Sequence, residues 1–160
     1  MIDKREILAI AEQTSLNPHV VEKDYVLGWI LAGIYQHEAL RESWVFKGGT
    51  CLKKCFFETY RFSEDLDFTL RDPAHLDEDF LKGVFAEIGA WIEEESGIQI
   101  PADMLRFELF QNPRGNVSCQ GKVSYIGPVS PTRPPPNIKL DLTADERLVL
   151  EPVEVGIFHP

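Results

Sequence analysis

The sequence is poor in basic residues. It contains 16 lysines and arginines against 26 aspartates and glutamates, which gives a formal net charge of −10. A broad non-specific nucleic-acid surface needs an excess of basic side chains, so the overall charge argues against one and leaves room only for a local basic pocket. The chain also lacks an apolar signal region in its first residues and any apolar run of membrane-spanning length. We therefore expect a cytoplasmic protein with no membrane segment.

Cysteine is scarce as well. The three cysteines show no C-x-x-C spacing. Cys51 and Cys55 are four residues apart and could share a helix face, but two thiols are too few for a zinc site. Reduced cysteines of a cytoplasmic protein are the better interpretation.

The helical segments are marked by capping residues and apolar periodicity. Asp3 with Glu6 forms a capping-box pattern, and Asn17 followed by Pro18 predicts the start of a second helix that runs to about Leu40. A third helix is predicted from Cys51 to Glu58. A strongly amphipathic fourth covers residues 80–92 and stops near Gly97.

Alternation of apolar and polar residues predicts the strands, and a segment with five prolines at residues 127–136 predicts a loop. A length of 160 residues with 44% hydrophobic content suits one domain with a proper core. The expected fold class is α/β or α+β, with a mixed sheet flanked by helices. The predicted strands are residues 44–46, 66–70, 105–110, 117–126, 138–142 and 147–155.

Two motifs carry the chemical information. The segment FKGGT at residues 46–50 is followed by RFSEDLDFT at residues 61–69. On a strand, the spacing of Asp65 and Asp67 puts both carboxylates on one face, and such a pair favours a divalent cation such as Mg²⁺ or Mn²⁺ between them. A glycine turn that leads into a helix N-terminus suits a phosphate. Together these features predict phosphoryl or nucleotidyl transfer.

These motifs resemble those of polymerase-β-type nucleotidyltransferases. The resembling segments are GGT at residues 48–50, RFSEDLD at residues 61–67 and the later Lys139-x-Asp141. Within that superfamily the chain is most similar to the AbiEii-type toxins of bacterial abortive-infection (type IV) toxin–antitoxin systems. The string EKDY at residues 22–25 also resembles a signature of that group.

The resemblance implies a role for each matching residue. Asp65, Asp67 and Asp141 would be the catalytic carboxylates that hold two divalent metal ions, Mg²⁺ or Mn²⁺. The implied contacts to a nucleoside triphosphate are Gly48, Gly49, Thr50, Lys53, Arg61 and Ser63. The implied accessory residues are Lys139, Glu22, Lys23 and Asp24.

The resemblance also implies an activity and partners. The protein would transfer a nucleoside monophosphate from a nucleoside triphosphate to an acceptor, with a tRNA 3′ end favoured over a protein hydroxyl or a small molecule. It would pair with a winged-helix antitoxin. Family members normally continue into a helical C-terminal region with a characteristic lysine and an Arg-Asp-x-Tyr-Asp string, which this sequence lacks. We therefore expect residues 1–160 to form the catalytic domain without that region.

Other interpretations compete with this one. The same fold could serve as a catalytically inactive binding module, and Asp141 could simply pair with Lys139 on its own strand face. The string DLDFT at residues 65–69 also matches the opening of haloacid-dehalogenase phosphatases. However, RFSE precedes it where those enzymes have an apolar strand, and no acidic pair stands out after Pro73. A D-x-D glycosyltransferase is disfavoured by the upstream GGT.

Overall fold

The computed structural model describes residues 3–47, 65–111, 113, 117–129 and 135–144. These residues form three α-helices and a mixed five-stranded sheet, so the protein is α/β as predicted. The helices are α1 (Lys4–Thr14), α2 (Pro18–Gln36) and α3 (Glu78–Ser96). The strands are β1 (Trp44–Lys47), β2 (Asp65–Leu70), β3 (Arg106–Gln111), β4 (Val117–Ser124) and β5 (Asn137–Thr143).

The predicted helix starts are confirmed by their caps. The Asp3 carboxylate accepts a hydrogen bond from the Glu6 amide at 2.9 Å, and the Asn17 side chain accepts one from the His19 amide at 2.8 Å. These bonds satisfy amides that have no partner within the helix. At the end of α3, Gly97 adopts a left-handed conformation with φ of 82°, which glycine reaches without steric cost.

The predicted end of α2 near Leu40 is wrong, because the helix ends at Gln36. His37 adopts an extended conformation, and its ring accepts a hydrogen bond from the Ala39 amide and contacts Glu87 on α3 at 2.7 Å. Leu40 continues the apolar spacing of α2, but it lies in a hydrogen-bonded turn after the helix, and its side chain is buried from that position.

The strand order in the sheet is β1-β2-β5-β4-β3. Strands β2 and β5 are parallel, and the other neighbours are antiparallel. β4 ends at Ser124, two residues before the predicted boundary, and Ile126 forms only an isolated bridge with Gln99. The predicted helix over residues 51–58 and strand over residues 147–155 lie outside the described residues.

One face of the sheet, here called the covered face, packs against α2 and α3. Its side chains are the apolar members of the alternating strands, and Gly121 on β4 leaves room for the ring of Phe107. An added Cβ at Gly121 would lie 2.7 Å from that ring. The buried strand residues of the covered face include Phe46, Leu66, Phe68, Phe107, Cys119, Val123, Ile138, Leu140 and Leu142.

The opposite face, here called the charged face, carries the polar members of the same strands. Because successive side chains on a strand point to opposite faces, burial of the apolar set fixes the direction of the polar set. The side chains of the charged face include Asp67, Thr69, Arg106, Glu108, Ser118, Gln120, Lys122, Lys139, Asp141 and Thr143.

Candidate active site

Two of the predicted catalytic carboxylates lie side by side on the charged face. In the parallel pairing of β2 and β5, Asp67 is directly opposite Asp141. Neighbouring strands are about 4.8 Å apart, and both side chains are half-buried. The predicted placement of Asp67 and Asp141 on adjacent strands is confirmed.

The burial of four apolar neighbours fixes this arrangement. Leu66 and Phe68 flank Asp67, Leu140 and Leu142 flank Asp141, and all four apolar side chains are essentially inaccessible to solvent. A register shift of one residue would bring the aspartates into the core and expose the apolar side chains. The core therefore fixes the carboxylates in place.

The pair fits a divalent cation. Like charges directly opposite each other on neighbouring strands are destabilising, and carboxylate oxygens are the ligands that Mg²⁺ and Mn²⁺ prefer. Among the side chains that the structure describes, no group of three His, Cys, Asp or Glu is placed to hold a metal. The third expected ligand, Asp65, has only its backbone described, and it pairs with Lys139 in the register that joins Asp67 to Asp141. Two of the three expected ligands are thus brought together.

The glycine pair comes directly after a strand that ends at this site. Lys47, the last residue of β1, pairs with Asp67 in the antiparallel register of β1 and β2. The next two residues in the sequence are Gly48 and Gly49. The predicted triphosphate contacts lie outside the described residues and stay predictions: Gly48, Gly49, Thr50, Lys53, Arg61 and Ser63.

Lys139 lies two residues before Asp141 on the charged face and is exposed. It could have been a simple ion-pair partner of Asp141. Within the part of the chain that the structure describes, however, Lys139 forms no ion pair. Lys139 therefore remains available to a ligand.

Glu22 occupies a different environment from the aspartates. Its side chain is 0% exposed, and its Oε2 accepts a hydrogen bond from the Val129 amide at 2.5 Å. An added Cβ at Gly127 would lie 2.7 Å from the same oxygen. Glu22 thus holds the loop that follows β4 against α2, a contact that sequence reasoning missed. The neighbouring Lys23 and Asp24 are partly exposed on α2.

Two other titratable groups serve packing. His75 accepts a hydrogen bond from the Trp44 indole at 3.2 Å and stacks on Phe80, and burial lowers its pKa despite the nearby Asp72. Burial raises the pKa of the Cys119 thiol to about 11, so the thiol is protonated at neutral pH. Neither side chain is on the charged face.

Comparison with known families agrees with the α/β fold. The family model "Nucleotidyl transferase AbiEii toxin, Type IV TA system" matches residues 29–160, more than half of the chain. The chain belongs to the AbiEii family. The match begins after the EKDY string at residues 22–25, so that string is outside it. No curated protein and no solved structure matched the sequence.

Membership in the AbiEii family makes the protein a nucleotidyltransferase toxin of a type IV toxin–antitoxin system. The α/β architecture with a mixed sheet is consistent with that family. A toxin of such a system implies an antitoxin partner. None of the helices in the described ranges is long and apolar enough to cross a membrane.

Proposed function

We propose that this AbiEii protein transfers a nucleoside monophosphate from a nucleoside triphosphate to a hydroxyl of an RNA acceptor, with a tRNA 3′ end favoured. The reaction takes place on the charged face at Asp65, Asp67 and Asp141. The observation that carries the proposal is the in-register pairing of Asp67 with Asp141. Two carboxylates held this close on adjacent strands favour bound cations over an empty site.

The three aspartates would hold Mg²⁺ or Mn²⁺. A divalent cation at this position supplies Lewis-acid stabilisation of the negative charge that accumulates on the phosphate oxygens during transfer. The protein contributes the fixed orientation of the carboxylates, which depends on the buried residues Leu66, Phe68 and Leu140 between and beside them.

In the proposed reaction, the acceptor hydroxyl oxygen forms a bond to the α-phosphorus of the nucleotide. The bond from that phosphorus to the oxygen bridging the α- and β-phosphates breaks, and pyrophosphate leaves with the bonding electrons. The hydroxyl proton passes to a carboxylate of the site and then to water. We assign the triphosphate to the glycine segment at residues 48–50, assisted by Lys53, Arg61 and Ser63.

The biological setting follows the family. We propose that the antitoxin is a winged-helix protein and that the toxin acts in the cytoplasm on cellular RNA. Transfer of a nucleotide to the 3′ end of tRNA would block aminoacylation, which would account for toxicity.

The test is a transfer assay with the full chain, each labelled nucleoside triphosphate, Mg²⁺ and total RNA, analysed on a gel. We expect a labelled RNA band with the wild type and its loss with Asp67→Asn. Metal ions supply several kcal/mol in such chemistry, so loss of a ligand should lower the rate by roughly a hundred- to a thousandfold.

A matched control is Asp79→Asn, which removes an exposed carboxylate on α3 and should leave transfer unchanged. Equal turnover by Asp67→Asn and the wild type would exclude this site. Tight nucleotide binding with no transfer to RNA, to protein or to a small molecule would favour the inactive binding module instead.

A further inference from the structure

Three basic side chains form a continuous row across the charged face. The register pairs Lys139 on β5 with Lys122 on β4, and Lys122 with Arg106 on β3. All three residues are exposed. They are called the basic row below.

The basic row lowers the stability of the folded protein. Like charges directly opposite each other on neighbouring strands are destabilising, and here the arrangement occurs twice in succession. Neither lysine forms an ion pair with any other residue in the described ranges. The Arg106 guanidinium donates to the Asp103 and Leu105 carbonyls at 2.9 Å, which orients it without neutralising its charge.

The acidic composition of the chain makes a row of three basic side chains unexpected by chance. Acidic residues outnumber basic ones by 26 to 16, so basic side chains would meet acidic neighbours often if they were placed at random. Repulsion within the row is relieved when an anion lies along it. The row therefore fits an anionic ligand with several charges.

The position of the basic row relates it to the aspartates. Lys139 is two residues from Asp141 and opposite the backbone of Asp65, so the row begins at the candidate active site. It then crosses β4 and ends at Arg106 on the edge strand, two strand spacings or about 10 Å away.

The neighbouring row of the same face has the opposite character. Asp141 is followed across the sheet by Gln120 on β4 and Glu108 on β3. Between β3 and β2, these groups and Asp67 repel or fail to attract a polyanion, and Lys47, which pairs with Asp67, lies beyond them on β1. An extended anion that enters from β3 is therefore confined to the basic row, whereas a compact triphosphate held at the aspartates reaches only its first member.

We propose that Lys139, Lys122 and Arg106 bind successive phosphates of the acceptor RNA strand and lead its reactive end to Asp67 and Asp141. This inference rests on the proposed function and adds to it the surface that receives the acceptor. Phosphate contacts of this kind position a strand without reading its sequence.

The test uses the full chain and a labelled tRNA transcript, with the affinity measured over a range of salt concentrations. The variants are Lys122→Gln, Arg106→Gln and the double substitution. Removal of one basic side chain that binds a phosphate of a single-stranded segment should reduce the slope of log affinity against log salt by about 0.7. We expect weaker binding and a shallower slope in each single variant, and a further reduction in the double variant.

The matched control is Lys82→Gln. Lys82 lies on α3, which packs on the covered face, and its ammonium group pairs with Glu78 at 3.1 Å. This variant changes the net charge by the same amount but should leave affinity and slope unchanged. The Lys122→Gln variant should melt at the wild-type temperature or above it, because it removes repulsive cross-strand pairs, whereas Arg106→Gln also loses the two hydrogen bonds to the Asp103 and Leu105 carbonyls.

Kinetics separate the acceptor from the nucleotide. In the transfer assay, the row variants should raise the KM for RNA and leave the KM for the nucleoside triphosphate and kcat unchanged. A raised KM for the nucleotide alone would overturn the proposal and assign the row to the triphosphate. Unchanged RNA binding together with abolished antitoxin binding would overturn it in favour of a protein interface.

Failure of the inference can be told apart from failure of the proposed function. If the wild type binds RNA through the row but transfers no nucleotide, the function is wrong and the row stands. If the wild type transfers nucleotide and the double variant binds RNA with the same affinity and slope, the row is wrong and the function stands. Absence of RNA binding by the wild type at every salt concentration would also overturn the row.

Discussion

The two faces of the sheet follow different physical rules although they share the same strands. On the covered face, Leu66, Phe68 and Leu140 bury almost all their surface against helices. On the charged face, Asp67 lies opposite Asp141 and Lys122 lies opposite Lys139. Like charges that face each other on neighbouring strands repel. The packing of the covered face stabilises the folded protein, whereas the like charges on the charged face destabilise it, and bound ligands can offset that destabilisation.

A second contrast concerns carboxylates. Glu22 is completely buried and accepts the Val129 amide, whereas Asp141 is half-buried and forms no hydrogen bond or ion pair with the described part of the chain. A carboxylate with a fixed protein donor acts as a structural element. One that faces a like charge is suited to a ligand. Substitutions that keep the shape but remove the charge should separate the two cases.

The largest effect on stability is expected at Glu22. Glu22→Ala leaves the Val129 amide without its acceptor and creates a cavity beside Gly127, which should cost about 2–3 kcal/mol. Glu22→Gln keeps an acceptor oxygen and should retain most of that stability. Denaturant unfolding of both variants measures the difference.

The same two variants show whether the Glu22 side chain has a structural or a catalytic role. Transfer by Glu22→Gln should remain close to that of the wild type. A stable Glu22→Gln protein without transfer activity would contradict the structural interpretation and place this carboxylate in the reaction.

A smaller loss is expected where α2 meets α3 above the covered face. An added Cβ at Gly33 would lie 2.5 Å from Ile88 Cγ2, so Gly33→Ala overpacks the contact. Overpacking costs about 1–3 kcal/mol, of which the better helix propensity of alanine returns about 0.5–1 kcal/mol. We expect a net loss of up to about 2.5 kcal/mol.

The control lies on the same helix. Nothing is within 4 Å of a Cβ added at Gly28, so Gly28→Ala should stabilise the protein by about 0.5–1 kcal/mol. Melting temperatures that shift equally in the two variants would show that α2 and α3 do not pack as described.

Local features of the fold could be predicted from the sequence. The Asp3 and Asn17 caps and the alternation around Leu66 and Leu140 each depend on residues within one turn or one strand, so the sequence pattern was sufficient. The end of α2 could not be predicted in the same way. Leu40 fits the helical spacing and is buried, but it lies in a turn beyond the end of the helix.

Features that depend on strand register or distant contacts escaped prediction. The Glu22 contact joins residues 107 positions apart, and a glutamate near a helix start more often lies in solvent. The basic row combines one residue from each of three strands, so it becomes visible only when their register is known. The approach of Asp67 to Asp141 was anticipated through the family resemblance, since neither strand pattern alone specifies its neighbour.

The smallest expected effect on stability, and one of opposite sign, concerns the charged face. Asp141→Asn removes one charge from the pair with Asp67 and keeps the shape, so without metal it should stabilise the protein by about 0.2–1 kcal/mol. Added Mg²⁺ should raise the melting temperature of the wild type more than that of the variant, because binding to the folded state alone is stabilising. Asp103→Asn, at an exposed turn position, serves as the control and should leave both measurements unchanged.

If Asp141→Asn instead destabilises the protein as Glu22→Ala does, Asp141 is a structural residue and the two faces do not differ in the way described above. If the variant is more stable than the wild type but responds to Mg²⁺ in the same way, the two aspartates repel each other but the cation binds elsewhere. If the Asp141→Asn variant is more stable than the wild type and its melting temperature does not respond to Mg²⁺, the same two carboxylates both repel each other and bind the metal.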